Sequence, residues 1–226
     1  MDLFSWERFF VNIPRLIKYL PVTFQIVVIA EIVGIVLGVA IALTRISKTP
    51  ILNRFFIWYV SFMRGTPMLV QMLVVYYGLP GILRSVFHLN ADNWSKITFV
   101  CITFALNQGA FLSEIFRSSI LAISVGQTEA GYSVGLTKWQ TFYRIVLPQA
   151  SKIAIPSFGI DLVGLFQNTS LAFLIGVMDI MGRAKTIGTS SGHYLEGYIF
   201  VAIVFVTVSL LLKLAFVILD KKLLKT

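Results

Sequence analysis

The sequence predicts an all-α integral membrane protein with five transmembrane helices, preceded by a helix that lies in the membrane interface. Of its 226 residues, 57% are hydrophobic and only 13% are charged, and the mean hydropathy is +0.85. Such values lie far outside the range of soluble globular proteins. Five apolar stretches are long enough to cross a hydrocarbon core about 30 Å thick.

The remaining composition excludes several other classes of protein. A net charge of +9 is also typical of nucleic-acid-binding proteins, but here the basic residues lie at the ends of apolar stretches, which membrane topology explains better. Cys101 lies in an apolar run and is interpreted as a packing residue. His88 and His193 lack neighbouring ligand residues, so neither is assigned a metal. The N-terminus lacks the features of a cleaved signal peptide and is expected to be retained.

The chain is predicted to form a single domain, 1–226, made of an interfacial helix at 1–20 and five spans within 21–219. In the first 20 residues, apolar side chains recur at helical spacing and charged residues fall between them, as in helices that lie on a membrane surface. The spans are predicted at 21–44, 57–79, 97–116, 153–178 and 198–219.

The distribution of Lys and Arg near the span ends predicts the orientation. Three segments are rich in basic residues and are predicted to be cytoplasmic: the first loop with Arg45, Lys48 and Arg54, the third loop with Arg117, Lys138, Arg144 and Lys152, and the tail with Lys221, Lys222 and Lys225. The second and fourth loops carry more acids and are predicted to face outward. With five spans, this places the N-terminus outside and the C-terminus in the cytoplasm.

The long polar segment 127–150 is predicted to form a short helix, a glycine turn and a second helix on the cytoplasmic side. Thr128 is a candidate N-cap, and Glu129 in the first turn suits the positive end of the helix dipole. Gly135 can adopt the left-handed conformation that ends a helix.

The second helix of this segment is predicted to begin with a capping box formed by Thr137 and Gln140 and to end near Leu147, before Pro148. The turn between the helices would expose three apolar side chains, Tyr132, Val134 and Leu136. Exposed apolar groups in a polar loop indicate a partner surface. The residues alone leave open an ordinary surface helix pair between two spans.

Six residues in this segment resemble the EAA loop of permease subunits of ABC importers: Glu129, Ala130, Gly135, Ile145, Leu147 and Pro148. The flanking segments 61–71, 112–120 and 155–173 are similar to those of polar amino-acid importers, and the resemblance covers the chain from about residue 21 onward. It implies the MetI-like permease fold and a short helix that docks into a separate ATPase subunit. The coupling residues would be Thr128, Glu129, Ala130, Gly131, Tyr132, Gly135 and Leu136.

The sequence departs from the family pattern at Gly131, where a second Ala is usual, and at Gln167 and Asn168, where Lys and Asp are usual. Glycine at position 131 is expected to weaken the helix by about 1 kcal/mol. In the resembling permeases, acidic residues at the positions of Asp161 and Asn168 are associated with cationic ligand groups. One acid remains here, which would suit a single ammonium group.

The chain contains no GxxxxGK[ST] phosphate loop and no Gly-Lys pair, so it cannot supply a nucleotide site of that type. ATP is therefore expected on a partner, and this chain is expected to bind no cofactor. The resemblance implies two ATPase subunits, a second permease subunit that is identical or paralogous, and an extracytoplasmic substrate-binding protein. The location would be the bacterial inner membrane.

Polar residues inside the apolar spans mark candidate substrate contacts, because polar groups at bilayer depth are costly. In the fourth span, Pro156 and Gly159 weaken the helix, and Asp161 is followed seven residues later by Asn168 on the same helical face. Thr169 and Ser170 come next in the chain, and all four polar residues are candidates for lining the substrate path. Alternatively, Asp161 pairs with a basic residue of a neighbouring span and only holds the bundle together.

The second span adds Arg64, Thr66 and Gln71, of which Arg64 could bind a substrate carboxylate through two hydrogen bonds. Arg64 could equally lie near headgroups or pair with Glu31 or Glu114. Glu31, in the first span, is a pairing partner, a dimer contact or a ligand group. Two other features indicate a structural role rather than a role in substrate binding. Gly34 and Gly38 form a small-residue face for close helix packing, and Glu114 and Arg117 have the spacing of an ion pair.

The predicted function is that of a permease subunit of an ATP-driven amino-acid importer, which forms the translocation path as a dimer. It would not itself be catalytic. An intramembrane enzyme and a channel or secondary transporter are the alternatives, but no nucleophile or metal motif supports the first and no inverted repeat supports the second. One carboxylate among neutral polar groups argues weakly against a strictly dibasic substrate and accommodates a polar zwitterion.

Overall fold

The computed structural model describes residues 4–224, which form helices and connecting turns without strands. Predictions for residues 1–3 and for Lys225 lie outside the described residues. The helices are α1 (Trp6–Ile17), α2 (Leu20–Ile46), α3 (Pro50–Gly65), α4 (Met68–Phe87), α5 (Lys96–Leu121), α6 (Val125–Ser133), α7 (Lys138–Thr141), α8 (Leu147–Asn168), α9 (Ile180–Ser191) and α10 (Leu195–Leu224). A π-helical turn, Phe142–Val146, joins α7 to α8, and a 3₁₀ segment, Thr169–Ile175, follows α8.

Five segments are long and apolar enough to cross a membrane, which confirms the predicted number of spans. They are Leu20–Ile46, Met68–Phe87, Lys96–Leu121, Lys138–Ile175 and Leu195–Lys222. The prediction of one continuous second span at 57–79 is wrong, because the chain breaks between α3 and α4. Thr66 and Pro67 are extended there, since proline disfavours helical backbone in the residue before it.

The centre of the bundle is α5, whose residues are the most buried of any span. It packs most extensively on α2 and also contacts α3, α4 and α8. The main hydrophobic core lies among these helices and includes Met72, Phe104 and Phe166, none of which has measurable solvent exposure. Cys101 is buried in the same core, as its interpretation as a packing residue requires.

Helix α1 packs beside the spans rather than crossing them. Ser5 caps its N-terminus, and Phe9 and Leu16 are buried against α9 and α10. On the opposite side, Trp6 and Phe10 are more than 60% exposed, as expected of a helix whose outer face meets lipid. The structure therefore agrees with an interfacial helix in this region.

Helix α9 lies outside the five spans and is capped by a buried carboxylate. Asp179 Oδ1 accepts a hydrogen bond of 2.8 Å from Gly182 N, while Oδ2 has no partner. Burial raises the pKa of Asp179. The α9 backbone amides and the nearby Thr23 hydroxyl favour the charged form, although no hydrogen bond of normal geometry reaches Oδ2.

Candidate functional site

Two carboxylates and one amide meet at the centre of the bundle. Gln108 on α5 donates from Nε2 to Glu31 Oε2 on α2, at 3.0 Å, and also to Asp161 Oδ2 on α8. The second oxygen of Glu31, Oε1, is buried and has no hydrogen-bond partner among the described residues. The arrangement therefore holds two acids within reach of one amide and leaves acceptor capacity unused.

Glycines on α2 and α5 bring this cluster together. A Cβ at Gly34 would lie 2.7 Å from Gln108 Cβ, and one at Gly38 would lie 2.9 Å from Leu112 Cβ. Facing them, a Cβ at Gly109 would lie 2.8 Å from Leu37 Cβ. Helices approach this closely only where side chains are absent, so the prediction that Gly34 and Gly38 form a packing face is confirmed.

The break between α3 and α4 is held by Gln71, which is buried. Gln71 Nε2 lies 2.8 Å from Met63 O and 2.8 Å from Thr66 Oγ1, and its Oε1 accepts a hydrogen bond of 2.9 Å from Asn107 Nδ2. Backbone carbonyls freed by the break need such partners in a membrane. In this conformation Thr66 and Gln71 are engaged with the protein, and substrate contact by either remains a prediction.

Arg64, at the end of α3, is exposed, and its guanidinium carbon lies 5.4 Å from the centre of the Phe111 ring. It is close enough to Asp161 for an electrostatic attraction. The alternative in which Arg64 pairs with Glu114 is wrong. Glu114 instead accepts from Arg117, at 2.7 Å, and from Arg45 on α2, which confirms the predicted ion pair between Glu114 and Arg117 near the C-terminal end of α5.

Helix α8 runs without interruption from Asp161 to Asn168, so the two residues share a face as predicted. Helix α8 continues through Pro156 and Gly159, so these residues do not interrupt it, and the expectation that they weaken it stays a prediction. Asn168 is exposed, and its side chain makes no hydrogen bond with any residue of the described range 4–224.

The two hydroxyls beyond α8 bond to the backbone. Thr169 is buried, and its Oγ1 donates to Phe166 O at 2.6 Å. Ser170 donates to Gln167 O at 2.8 Å. Of the four polar positions at 161 and 168–170, Asp161 and Asn168 are therefore better placed to meet a ligand in this conformation.

Sequence reasoning missed Gln108. The signal was present, since Asn107 and Gln108 are adjacent amides inside an apolar span and precede Gly109. An uncharged amide is less costly in a membrane than a carboxylate and is therefore a weaker indication of a functional position. Its role follows only from the packing of α5 against α2 and α8.

The segment between α5 and α8 differs from the prediction at both of its ends. Its first helix, α6, begins at Val125 with Ser124 as the N-cap, so the assignment of Thr128 as the cap is wrong. The Ser124 hydroxyl accepts a hydrogen bond from Gly126 N, so the helix is capped four residues earlier than predicted. Pro148 does not end the second helix, because the π-helical turn before α8 places it in the first turn of α8, where its missing N–H matters less.

The middle of the segment matches the prediction. Gly135 has φ +81°, and Thr137 and Gln140 form both hydrogen bonds of the capping box. Tyr132 and Val134 are 47% and 75% exposed, whereas Leu136 is half-buried. The exposed residues of 132–136 form an apolar surface, here called the knob surface.

Gly131 has a structural reason that the sequence did not show. A Cβ at this position would lie 2.7 Å from Thr141 Cγ2 and 3.1 Å from Ile145 Cδ1. Glycine therefore allows α6 to pack directly on α7 and the π-helical turn. The cost in helix propensity is offset by this close contact, so the expectation of a simply weakened helix is incomplete.

Together, a bundle of five apolar spans, an acidic cluster at its centre and an exposed apolar surface on a connecting segment define an integral membrane protein with polar groups inside its bundle. Residues 34–225 match the family described as binding-protein-dependent transport system inner membrane component, and the chain belongs to that family. The resemblance read from residues 129–148 is thereby confirmed.

Two curated relatives cover most of the chain. The L-cystine transport system permease protein TcyL of Bacillus subtilis is 42% identical over 213 residues, covering 94% of this chain and 89% of the relative. The glutamate/aspartate import permease protein GltK of Escherichia coli is 32% identical over 207 residues, covering 92% of each.

Solved structures show the same architecture. A crystal structure of an amino acid ABC transporter with histidines has a TM-score of 0.86 and 26% identity, covering 97% of this chain and 99% of that one. An inward-facing structure of the MetNI methionine ABC transporter has a TM-score of 0.68 and 18% identity at the same coverage, and supports the fold alone. The predicted permease fold is confirmed.

Proposed function

We propose that this chain is the permease subunit of an amino-acid importer in which Glu31, Gln108 and Asp161 bind the ammonium group of the substrate. The observation that carries the proposal is the single amide shared by two carboxylates, with Glu31 Oε1 left without a partner. A ligand ammonium can donate to both acids at once. The relatives described above are named for amino-acid transport, which supports this substrate class.

Charge favours a cationic group at this position. Two carboxylates repel each other strongly where little water is present, and each acid alone is costly at bilayer depth. An ammonium between them would neutralise the repulsion and supply the missing hydrogen bonds. The positive charge of Arg64, which is close enough to Asp161 to attract it, would then attract the substrate carboxylate. Acidic groups around the ammonium and a basic group near the carboxylate would match the two charges of an α-amino acid.

The remaining candidates lie around this cluster. Asn168 is exposed on the face of α8 that carries Asp161 and would contact the substrate side chain. Thr66, Gln71, Thr169 and Ser170 would contribute only if the break and the 3₁₀ segment rearrange during transport. The name of the TcyL relative and the mixture of acids and amides support a polar zwitterion as the substrate.

Uptake by the assembled transporter tests the site. Vesicles containing this chain with its ATPase and binding protein would be assayed for ATP-dependent uptake of radiolabelled amino acids. Loss of one charged hydrogen bond is expected to lower uptake about tenfold or more in Asp161→Asn and Glu31→Gln. The matched control is Asp92→Asn, which removes a carboxylate from an exposed ion pair with Arg84.

Two results would count against the proposed site. Uptake that is unchanged in both variants would exclude the acidic cluster as a substrate contact. Loss of uptake together with loss of the copurifying ATPase would show that the substitutions act on assembly. A selective rise in KM with intact assembly is the expected result.

The knob surface would dock into the ATPase subunit, with two such subunits and two permease subunits in the assembly. Tyr132 and Val134 are apolar and exposed, and a docked partner would cover them. Val134→Asp is expected to release the ATPase from the purified complex. Val125→Asp, at the other end of α6 and 72% exposed, is the matched control and should retain it.

The proposed orientation places the knob in the cytoplasm and the N-terminus outside, and cysteine labelling tests it directly. Cys101 is the only cysteine and is buried, so introduced cysteines give a clear signal. In intact cells, an impermeant thiol reagent should label His88→Cys but not Ser133→Cys. The reverse pattern would refute the orientation and, with it, the docking of a cytoplasmic ATPase at the knob.

A further inference from the structure

A polar pocket of about 320 Å³ lies between α1 and α9, away from the acidic cluster. Its volume is near the lower end of small-molecule sites, roughly 300–1,000 Å³. Three arginines line it: Arg8 and Arg15 from α1 and Arg183 from α9. Asn12 and Glu7 also contribute to the lining.

Asn12 is the buried polar group of this pocket. Its side chain is 7% exposed, lines the pocket and makes no hydrogen bond with any residue in the range 4–224. The amide can therefore form hydrogen bonds with a molecule that enters the pocket. Arg8, Asn12 and Arg15 are separated by four and three residues, so they lie on one face of α1. The amide therefore opens toward the same space as the two guanidinium groups.

The three arginines also lack anionic partners. Within the described residues, none of them lies within 4.0 Å of a carboxylate oxygen. Arg183 Nε is buried with no acceptor, and its guanidinium carbon lies 5.5 Å from the centre of the Tyr19 ring. Against these three positive charges the pocket holds a single acid, Glu7. The pocket thus carries net positive charge and unused hydrogen-bond donors.

The surroundings indicate where an anion would come from. Trp6, Phe10 and Ile17 are exposed on another face of α1 and are 67%, 61% and 48% accessible. Trp and Phe on an amphipathic helix beside membrane spans lie at the level of the headgroups. Phospholipid phosphates lie at the same level and can accept charge-assisted hydrogen bonds from arginine side chains.

We propose that the pocket between α1 and α9 binds a phosphate group, supplied by the headgroup of an anionic phospholipid. Arg15 and Arg183 form charge-assisted hydrogen bonds to the phosphate oxygens, and Asn12 donates from Nδ2 at the base of the pocket. The bound lipid joins α1 to α9 in the region where Phe9, Leu16, Ile180 and Ala184 already pack together.

Native mass spectrometry of the purified full-length chain in detergent tests the proposal. The probe is phosphatidylglycerol, with phosphatidylcholine as the uncharged comparison. Arg15→Gln and Asn12→Leu are each expected to weaken retention of phosphatidylglycerol about tenfold. Asn12→Leu is the more informative variant, because it leaves the charge of the protein unchanged. Lys18→Gln, which removes a charge from α1 without lining the pocket, is the matched control and should change retention less than about twofold.

Inorganic phosphate and glycerol 3-phosphate distinguish a lipid from a free anion. Neither should displace the lipid at concentrations where phosphatidylglycerol saturates the site. Displacement by inorganic phosphate at equal concentration would overturn the assignment to a lipid. If Asn12→Leu and Arg15→Gln retain phosphatidylglycerol as well as the wild type does, or if Lys18→Gln loses it to the same extent as they do, the assignment of this pocket as the binding site would be overturned. Gel filtration and thermal unfolding of each variant show whether the protein remains folded.

Discussion

Replacing Gly34 by alanine should disturb the acidic cluster through Gln108. The new Cβ would lie 2.7 Å from Gln108 Cβ and 2.8 Å from Gln108 Cγ. Carbon atoms prefer separations of about 3.5–4.0 Å, so either α2 moves away from α5 or the Gln108 side chain shifts by about 1 Å. A shift of this size removes the geometry that lets one amide reach both carboxylates.

The expected cost combines two opposing contributions. Alanine improves helix propensity by about 0.5–1 kcal/mol relative to glycine. Overpacking a buried contact costs about 1–3 kcal/mol, so the net effect is a destabilisation of roughly 1–2 kcal/mol. Gly78→Ala is the matched control, because no atom lies within 4 Å of its Cβ position and only the propensity changes.

Thermal unfolding in detergent and substrate uptake in vesicles measure the two consequences separately. Gly34→Ala should lower both the melting temperature and uptake, whereas Gly78→Ala should lower neither. Gly38→Ala, which meets Leu112 Cβ and Ser113 N instead of Gln108, should lower stability with a smaller effect on uptake. Wild-type stability in Gly34→Ala would refute the claim that α2 and α5 are in contact at this glycine.

Three further substitutions test other parts of the structure. Glu114→Gln breaks a partly buried ion pair with two arginines and should cost about 1–3 kcal/mol in thermal or denaturant unfolding. Asp92→Asn, in an exposed pair, should cost less than about 1 kcal/mol. Gly135→Ala places a side chain at φ +81° and should cost about 1–2 kcal/mol, seen as earlier proteolysis of the knob. Burial raises the pKa of Asp179, so the folded protein binds a proton at this carboxylate more tightly than the unfolded chain does. The free energy of unfolding should therefore fall as the pH rises from the ordinary aspartate range through the raised pKa. Asp179→Asn keeps an acceptor for Gly182 N and should flatten that part of the pH dependence of the melting temperature; an unchanged slope would contradict the assignment.

The number of spans could be predicted from the sequence because mean hydropathy is taken over about twenty residues, so that a single polar residue or proline changes it little. The sequence was insufficient where one residue changes the path of the chain. The dipeptide Thr66-Pro67 contained the signal for the break between α3 and α4, but the apolar run continued on both sides and hid it. Pro148 was interpreted as a helix end because a π-helical turn, which accommodates it, has no clear sequence pattern.

The candidate site was only half predictable for a related reason. Asp161 and Glu31 are charged residues in apolar spans, and their cost alone identifies them. That they share a partner depends on the close approach of α2 to α5 at Gly34 and on the rotation of α8. Side-chain contacts between distant segments follow from packing, which no local pattern specifies.

The helices on either side of the knob surface show how docking of the ATPase could act on the acidic cluster. Helix α5 carries Gln108 and ends at Leu121, four residues before α6 begins, and α8 carries Asp161 and continues into the knob through the π-helical turn. Gln108 lies about 20 Å along the axis of α5 from its C-terminal end, and Asp161 lies about 20 Å along the axis of α8 from its N-terminal end, at about 1.5 Å per residue. Under the proposed coupling, a displacement of α6 would therefore reach Gln108 through one helical segment, in α5, and Asp161 through another, in α8. The two segments are of nearly equal length. Because Gln108 bonds to both acids, relative sliding of α5 and α8 would change that contact first, and under the proposed function this would link ligand binding to the position of the ATPase.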